Sequence, residues 1–422
     1  MNILVIHKLP FLRSNQLTSV KDTELILKKV GKSDNVFFWN YKLPASMKMQ
    51  QDRWDIIVIT STVLSDVHTP LTYNRLKTHL KFLEKSNAFK VVLPQDEYYC
   101  PENLEELFTN WRINYLVTLD YDQHKRIYPK ISLNNVIKFK QGYTFYNSEL
   151  YKQINDLNFH KNLRDRPFDI VYRAHKPIYA NNFAEQKYDI SEKLETTIKM
   201  KRKILRTNIA GNIIMGSNWP TFLSNSKTVI GSSSGSNLIL RNIEIIEKTR
   251  NFITQHNRQP NLIELADMGV NADDYGNFTV ISPRNMEAAA TGTVQILVKG
   301  QYSKFLIPGV DYIETNSEFT NFEYINDCLN DIDFLDSIRH SAWQRLNSKT
   351  ELRFENLWAD ILLSHQTEWL NNSSILHENT INITSLKILN LLKIEMYARE
   401  KLKKYLRFQL NNKSMDKLKA LI

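Results

Sequence analysis

A chain of 422 residues exceeds what one hydrophobic core encloses, so two domains are expected, and a balance of 42% hydrophobic and 24% charged residues excludes a disordered or fibrous protein. The formal net charge of +10 points to anionic partners: a nucleotide, a polyphosphate, a membrane surface or nucleic acid. The 2 cysteines, Cys100 and Cys328, are far apart and outside any Cys/His spacing, which excludes a zinc motif and favours a reducing compartment.

From Met1 the sequence enters an apolar strand without a signal-peptide layout, and no apolar run approaches the ~18 residues that span a bilayer, so a cytoplasmic protein is expected. Strands are predicted at Ile3 to Ile6, Val36 to Trp39, Asp55 to Thr60, Val91 to Leu93 and Tyr115 to Leu119. Helical periodicity falls between them at Thr23 to Val30, Leu71 to Leu83 and Glu102 to Trp111. That alternation predicts a parallel sheet covered on both faces. The first strand is followed by no GxGxxG, so nothing marks a dinucleotide site there.

A helix at Asn147 to Ile154 and the charged connector KNLRDRP (Lys161 to Pro167) place a boundary near residue 160. A second alternating region begins with a strand at Phe168 to Tyr172. Helices follow near Asp189 to Met200 and Trp219 to Ser224, then a strand at Thr228 to Gly231 running into a small-residue loop. The expected divisions are 1–160, 161–365 and a basic helical extension, 366–422. Two open α/β units in tandem enclose a cleft between the carboxyl ends of their strands.

The most informative stretch is Ile281 to Ser303. Ser282 and Pro283 open a helix through Asn285, Met286 and Ala288 to Ala290, and Gly292 closes it before a buried strand at Val294 to Val298. The N-terminus of that helix suits an anion such as a diphosphate. Arg284 opposes the dipole there, which marks it as functional. Glu287, one turn on, is placed to accept hydrogen bonds from a diol such as a ribose. Its structural alternative is a solvated surface carboxylate.

Three further constellations carry chemistry. The run Gly231-Ser232-Ser233-Ser234-Gly235-Ser236 offers backbone amides as an anion-binding nest, or is a plain turn. Asp96 and Glu97, at the end of the Val91 to Leu93 strand, supply a candidate general base or a helix cap. His7, at the tip of the first strand, is an alternative base. Arg173, just after Phe168 to Tyr172, is placed to meet a phosphate. HExxH and Walker patterns are absent. From Thr384 onward ten Lys/Arg face three Asp/Glu on a helical pattern, which reads as a solvated helix, a membrane-surface helix or, least of all, a nucleic-acid contact.

ISPRNMEAAATGTVQILVKGQYSKFLIPGVDYI resembles the SPR-x-x-E-A-A-A stretch of bacterial CgeB-like glycosyltransferases of the two-domain GT-B fold. KTVIGSSSGSN, QDEYY and FDIVYRAHKP resemble that family's small-residue loop, Q-D-E-Y segment and donor-domain opening, so the resemblance covers roughly residues 90 to 360. It implies two Rossmann-like domains and transfer of a sugar from a nucleotide-sugar donor to a glycan or lipid-linked acceptor in bacterial surface polysaccharide synthesis. Neither a bound metal nor a cofactor is expected, nor a nucleic-acid partner, and the basic tail would dock at the inner membrane. Glu287 would hold the donor ribose. Arg284 and the loop Ser233, Ser234, Gly235, Ser236 would hold the diphosphate, with Asp96 or Glu97 facing the acceptor; Arg173, Ser282 and Asn285 are the further donor-side candidates, and His7 the alternative base. Retaining members often carry a second glutamate eight positions upstream, where this chain has Thr279. The rival expectations are a sugar-nucleotide epimerase of the same fold and a non-enzymatic basic scaffold.

Overall fold

Short aliphatic strands separated by amphipathic helices pair in parallel, because each crossover helix returns the chain to the same end of the sheet. The structure, a computed structural model, describes residues 1–8, 27, 35–43, 45–46, 53–134, 137–142, 148–214, 218–302 and 305–376. Its first sheet holds β1 (Asn2–His7), β2 (Asn35–Asn40), β3 (Ile56–Ile59), β4 (Phe89–Val92), β5 (Tyr115–Thr118) and β6 (Lys138–Gln141). All pairs are parallel, in the order β2-β1-β3-β4-β5-β6. The edge strand β6 was not foreseen, since KFKQ carries a single apolar side chain. Two crossover helices are α1 (Pro70–His79), capped by Thr69, and α2 (Pro101–Trp111).

The second half contributes α3 (Ser148–Asn158), β7 (Phe168–Arg173), α4 (Asn182–Met200), β8 (Thr207–Ala210), α5 (Asn218–Ser224) and β9 (Ser226–Gly231). After it come β10 (Ser234–Leu238), α6 (Ile243–His256), α7 (Leu262–Asp267), β11 (Tyr275–Val280), α8 (Pro283–Ala290), β12 (Val294–Val298) and β13 (Ile313–Thr315). The helices α9 (Phe322–Asn330), α10 (Ile332–Ser348) and α11 (Phe354–Leu376) complete the described chain. The second sheet is parallel as well, ordered β13-β12-β9-β7-β8. The architecture is therefore α/β with two Rossmann-like domains. Residues 1–362 make one compact unit, and 363–422, a second unit, are described only where α11 continues into them. Among the described residues no helix is long and apolar enough to cross a membrane.

Two features depart from the sequence reading. The small-residue run is not a loop throughout. Ser234 to Leu238 form β10, paired antiparallel with β11, and Gly235 has φ +115° because a Cβ there would come within 1.8 Å of the Phe278 carbonyl oxygen. The segment from Leu238 to Phe278 does not pack on its own sheet. Leu238, Leu240, Ile246, Leu265 and Phe278 join one core with Leu104, Leu107 and Tyr128 of the first sheet's helices. Backbone bonds secure the join: Cys100 N donates to Leu240 O (2.7 Å) and Leu240 N to Tyr98 O (2.9 Å). The predicted helix at Thr23 to Val30, apart from Leu27, and the basic segment from Thr384 lie outside the described residues.

The opposite face of the first sheet is closed by the start of α11. Phe354, Leu357, Trp358 and Ile361 are buried against Ile3, Val5, Val91 and Tyr115. Trp358→Ala is expected to lower the stability of this unit by about 3–5 kcal/mol, the usual cost of deleting a buried aromatic side chain. Urea unfolding followed by far-UV circular dichroism measures it, and an unchanged midpoint would show that α11 is not part of this core.

Candidate active site

Numbered in their own order, both sheets run 2-1-3, which puts a topological switch point beside the first strand of each: between β1 and β3, and between β7 and β9. Loops leaving the carboxyl ends of such strands diverge and leave a crevice. Three adjoining cavities occupy it, of about 540, 230 and 120 Å³, and Ser282 and His175 line all three.

The floor of the crevice is the N-terminus of α8. Ser282 Oγ accepts from Arg284 N (3.3 Å), and Asn285 Oδ1 accepts in return from Ser282 N (3.2 Å), a reciprocal cap. Asn285 is buried and its Nδ2 donates to Gln295 Oε1 at 2.6 Å, so it positions the helix start while lining the 230 Å³ cavity. At the other end Gly292, at φ +63°, stops the helix as predicted. There the buried Arg166 donates to Thr291 O, Thr293 Oγ1 and Ser226 O, so the charged connector is anchored through its arginine.

Arg284 and Glu287 line the 120 Å³ cavity with Arg173, Trp219 and the 211–214 backbone. Arg284 Nη1 donates to Arg173 O (2.8 Å) and its guanidinium lies 5.5 Å from the centre of the Trp219 ring. Those contacts hold a cation where the helix dipole disfavours one. Glu287 is buried and Oε2 accepts from Trp219 Nε1 at 2.6 Å. Arg173 is more committed than expected: Nη1 donates to Tyr172 O and Asn208 O, Nη2 to Asn208 Oδ1, and the guanidinium stacks 4.3 Å over Phe222.

The small-residue run divides. Ser234 and Gly235 line the 540 Å³ cavity. Ser233 is buried against Gly300, and Ser236 turns inward with Oγ donating to Leu238 O (2.7 Å), so neither faces the crevice. Ser232, earlier in the same run, lines the 230 Å³ cavity.

On the first sheet's side the adjacent carboxylates part company. Asp96, at φ 52°, is exposed in the 540 Å³ cavity and accepts from Tyr98 OH (2.7 Å). Its left-handed turn sends Glu97 the other way. Glu97 is fully buried and accepts from Thr118 Oγ1 (2.6 Å), Leu119 N (2.6 Å) and Tyr128 OH (2.8 Å), so its carboxylate is committed to the core rather than to the crevice. His7 ends β1 edge-on to Phe38 and, among the described residues, is not one of those lining the three cavities. Two residues that the sequence did not flag do line the large cavity. His68 meets the rings of Tyr99 and Tyr179, and burial lowers its pKa. Lys187 projects from α4, Nζ donating to Ser234 Oγ at 2.8 Å. Neither sits in a recognisable motif, which is why only the fold reveals them.

No family model matches the chain, and no curated protein matches it in sequence. Solved structures do match in fold. An alpha-glucosyltransferase in complex with UDP-glucose and DNA containing an abasic site superposes with a TM-score of 0.51 at 13% identity, over 86% of this chain and 99% of that one. The complex of an alpha-glucosyltransferase with UDP and a 13-mer DNA containing an HMU base gives 0.50 at 12% identity, over 86% and 99%. The likeness is one of fold, the two-domain GT-B arrangement.

Burial pushes the Glu97 carboxyl up to about 7, with its four hydrogen bonds, from Thr118, Tyr128, Leu119 and Asp120, opposing. Between about pH 4.5, its ordinary value, and 7, the folded chain holds a proton that the unfolded chain has released, so stability falls as pH rises through that window. Glu97→Gln has the shape of the neutral acid and removes that slope, a gain on the order of 3 kcal/mol above pH 7. Unfolding curves from pH 4 to 8 read it. Turnover is expected to persist in the variant, and its loss in a folded protein would return Glu97 to the chemistry.

Proposed function

We propose that this chain is a glycosyltransferase that moves a sugar from a uridine-nucleotide donor to a hydroxyl acceptor. The observation that carries this is the convergence of Ser282, Arg284 and Glu287 on one crevice at the β7/β9 switch point, opposite Asp96 of the first sheet. The 120 Å³ cavity, bounded by the 211–214 backbone, suits a pyrimidine nucleoside, and Glu287 beside it takes the ribose hydroxyls. The diphosphate meets Arg284, Ser282 and Ser234, and the sugar faces the 540 Å³ cavity. UDP and UDP-glucose in the fold's solved relatives support the same base.

In this mechanism the acceptor oxygen bonds to the anomeric carbon while the bond to the diphosphate breaks. Arg284 and the start of α8 stabilise the charge that develops on the leaving group, usually the dominant catalytic contribution. Asp96, the carboxylate exposed to the cavity, takes the acceptor proton if configuration inverts. The CgeB-like resemblance implies a reaction without a resident metal. The CgeB-like resemblance favours a glycan or lipid-linked acceptor in bacterial surface polysaccharide synthesis, and the basic composition from Thr384 onward suits docking at the inner membrane. The net charge of +10, together with the DNA in the fold's relatives, favours a second acceptor class, a hydroxylated base in DNA.

Thermal-shift measurements with UDP, GDP, CMP, ADP, dTDP and their sugars are expected to show stabilisation by UDP species first. Glu287→Gln keeps the Trp219 bond but loses the charge, and UDP affinity should fall about ten- to a hundred-fold by calorimetry, the worth of one charged hydrogen bond. Unchanged affinity would remove Glu287 from the donor site. Free epimerised nucleotide sugar as the product would identify an epimerase instead.

A further inference from the structure

Lys187 stands where the 540 and 230 Å³ cavities meet, lining both. Its helix is fixed against β7, where Tyr172 OH donates to Lys187 O at 2.8 Å, and its Nζ reaches across to Ser234 at the start of β10. Two charges act on it directly, Arg284 from the start of α8 and Asp96 from the turn after β4, while His175 lines the same cavities from the loop after β7. Burial, and Arg284 after it, bring the amine down to about 8, and Asp96 acts the other way. A second full cation beside Arg284 in a half-buried site is disfavoured until an anion enters. The capped start of α8 and the Ser234 hydroxyl place that anion between the two basic groups.

We propose that Lys187 is a counter-charge for the donor's diphosphate and that its amine takes up a proton from solvent as the nucleotide enters. The inference rests on the nucleotide reading of the crevice and adds to it a residue and a proton linkage. The step is balanced: the proton comes from the buffer, no bond to the nucleotide forms, and the proton returns when the diphosphate leaves. Binding is thereby tightest below pH 8 and weakens as pH rises, because the proton must then be drawn from a more alkaline solution.

Calorimetric titration of the full chain with UDP at pH 8, in buffers of different ionisation enthalpy, tests this. The phosphates of UDP are fully ionised at that pH, so proton uptake reports on the protein. The wild type should take up about half a proton per UDP, since a group whose pKa lies near the working pH is half charged when free. Lys187→Arg should bind UDP with no uptake at this site and with an affinity flat from pH 7 to 9. Lys187→Met should bind about tenfold more weakly, with its thermal melting compared to confirm folding. Wild-type binding without proton uptake would overturn the proposal, as would uptake that survives in Lys187→Arg or vanishes in His175→Gln. Failure of UDP to bind the wild type would overturn the nucleotide reading of the crevice, and the proposal with it.

Discussion

A parallel strand cannot turn back on its neighbour, so every connection must cross over and every strand in a sheet ends on the same edge. In both sheets here the second strand then lies on one side of the first and the third on the other, and the loops that leave those carboxyl ends separate. The crevice at β7 and β9 is a consequence of that constraint before any side chain is considered. Arg173 ends β7, Gly231 ends β9, and residues that follow each, Ala174, His175 and Pro177 after the one and Ser232, Ser234 and Gly235 after the other, form its sides. Chemistry is then added by whatever helix starts nearest, and α8 does so with a serine, a proline and an arginine.

The two halves are less independent than a pair of beads. Leaving β9, the chain departs to the first sheet, builds α6 and α7 onto its core, and returns through β11 to begin α8. Polar bonds follow the same route. Arg126 donates to the Asp273 and Tyr275 carbonyls, Arg241 pairs with the buried Asp274 at 2.6 Å, and Asn181 Nδ2 bridges Tyr99 OH and Gly235 O. The side of the crevice that carries Asp96 is thus tied by short bonds to the strand that carries Ser234. Gly235 is required at the crossing, because the Phe278 backbone passes too close for any side chain.

Charge in this molecule is placed at a cost that local partners offset. Arg166 is almost fully buried at the C-terminal end of α8, where the helix dipole and three oxygen acceptors favour a cation. Arg284 sits at the opposite end, where the dipole opposes it, and is held by a carbonyl and an indole face. One arginine serves the fold and the other is retained in a place that stability alone would not choose. Glu97 and Asp96 make the same contrast within two residues: one is sealed in hydrogen bonds, the other exposed to the cavity.

What the amino-acid order determined by itself was local. Apolar runs at Ile3 to Ile6, Asp55 to Thr60 and Val294 to Val298 became strands, and Ser282-Pro283 with Gly292 bounded α8, because caps, prolines and glycines act over a few residues. The same reach explains what was missed. The run of serines looked like a turn, yet Ser234 to Leu238 became a strand once β11, forty residues on, supplied a partner. Asp96 and Glu97 are adjacent in sequence and indistinguishable by type, and only the left-handed backbone at Asp96 decided which one met the crevice. Lys187 and His68 lie in unremarkable helical turns. Their surroundings come from Arg284, Asp96, Tyr99 and Tyr179, residues brought together by the order in which the strands pair, which no short window of sequence contains.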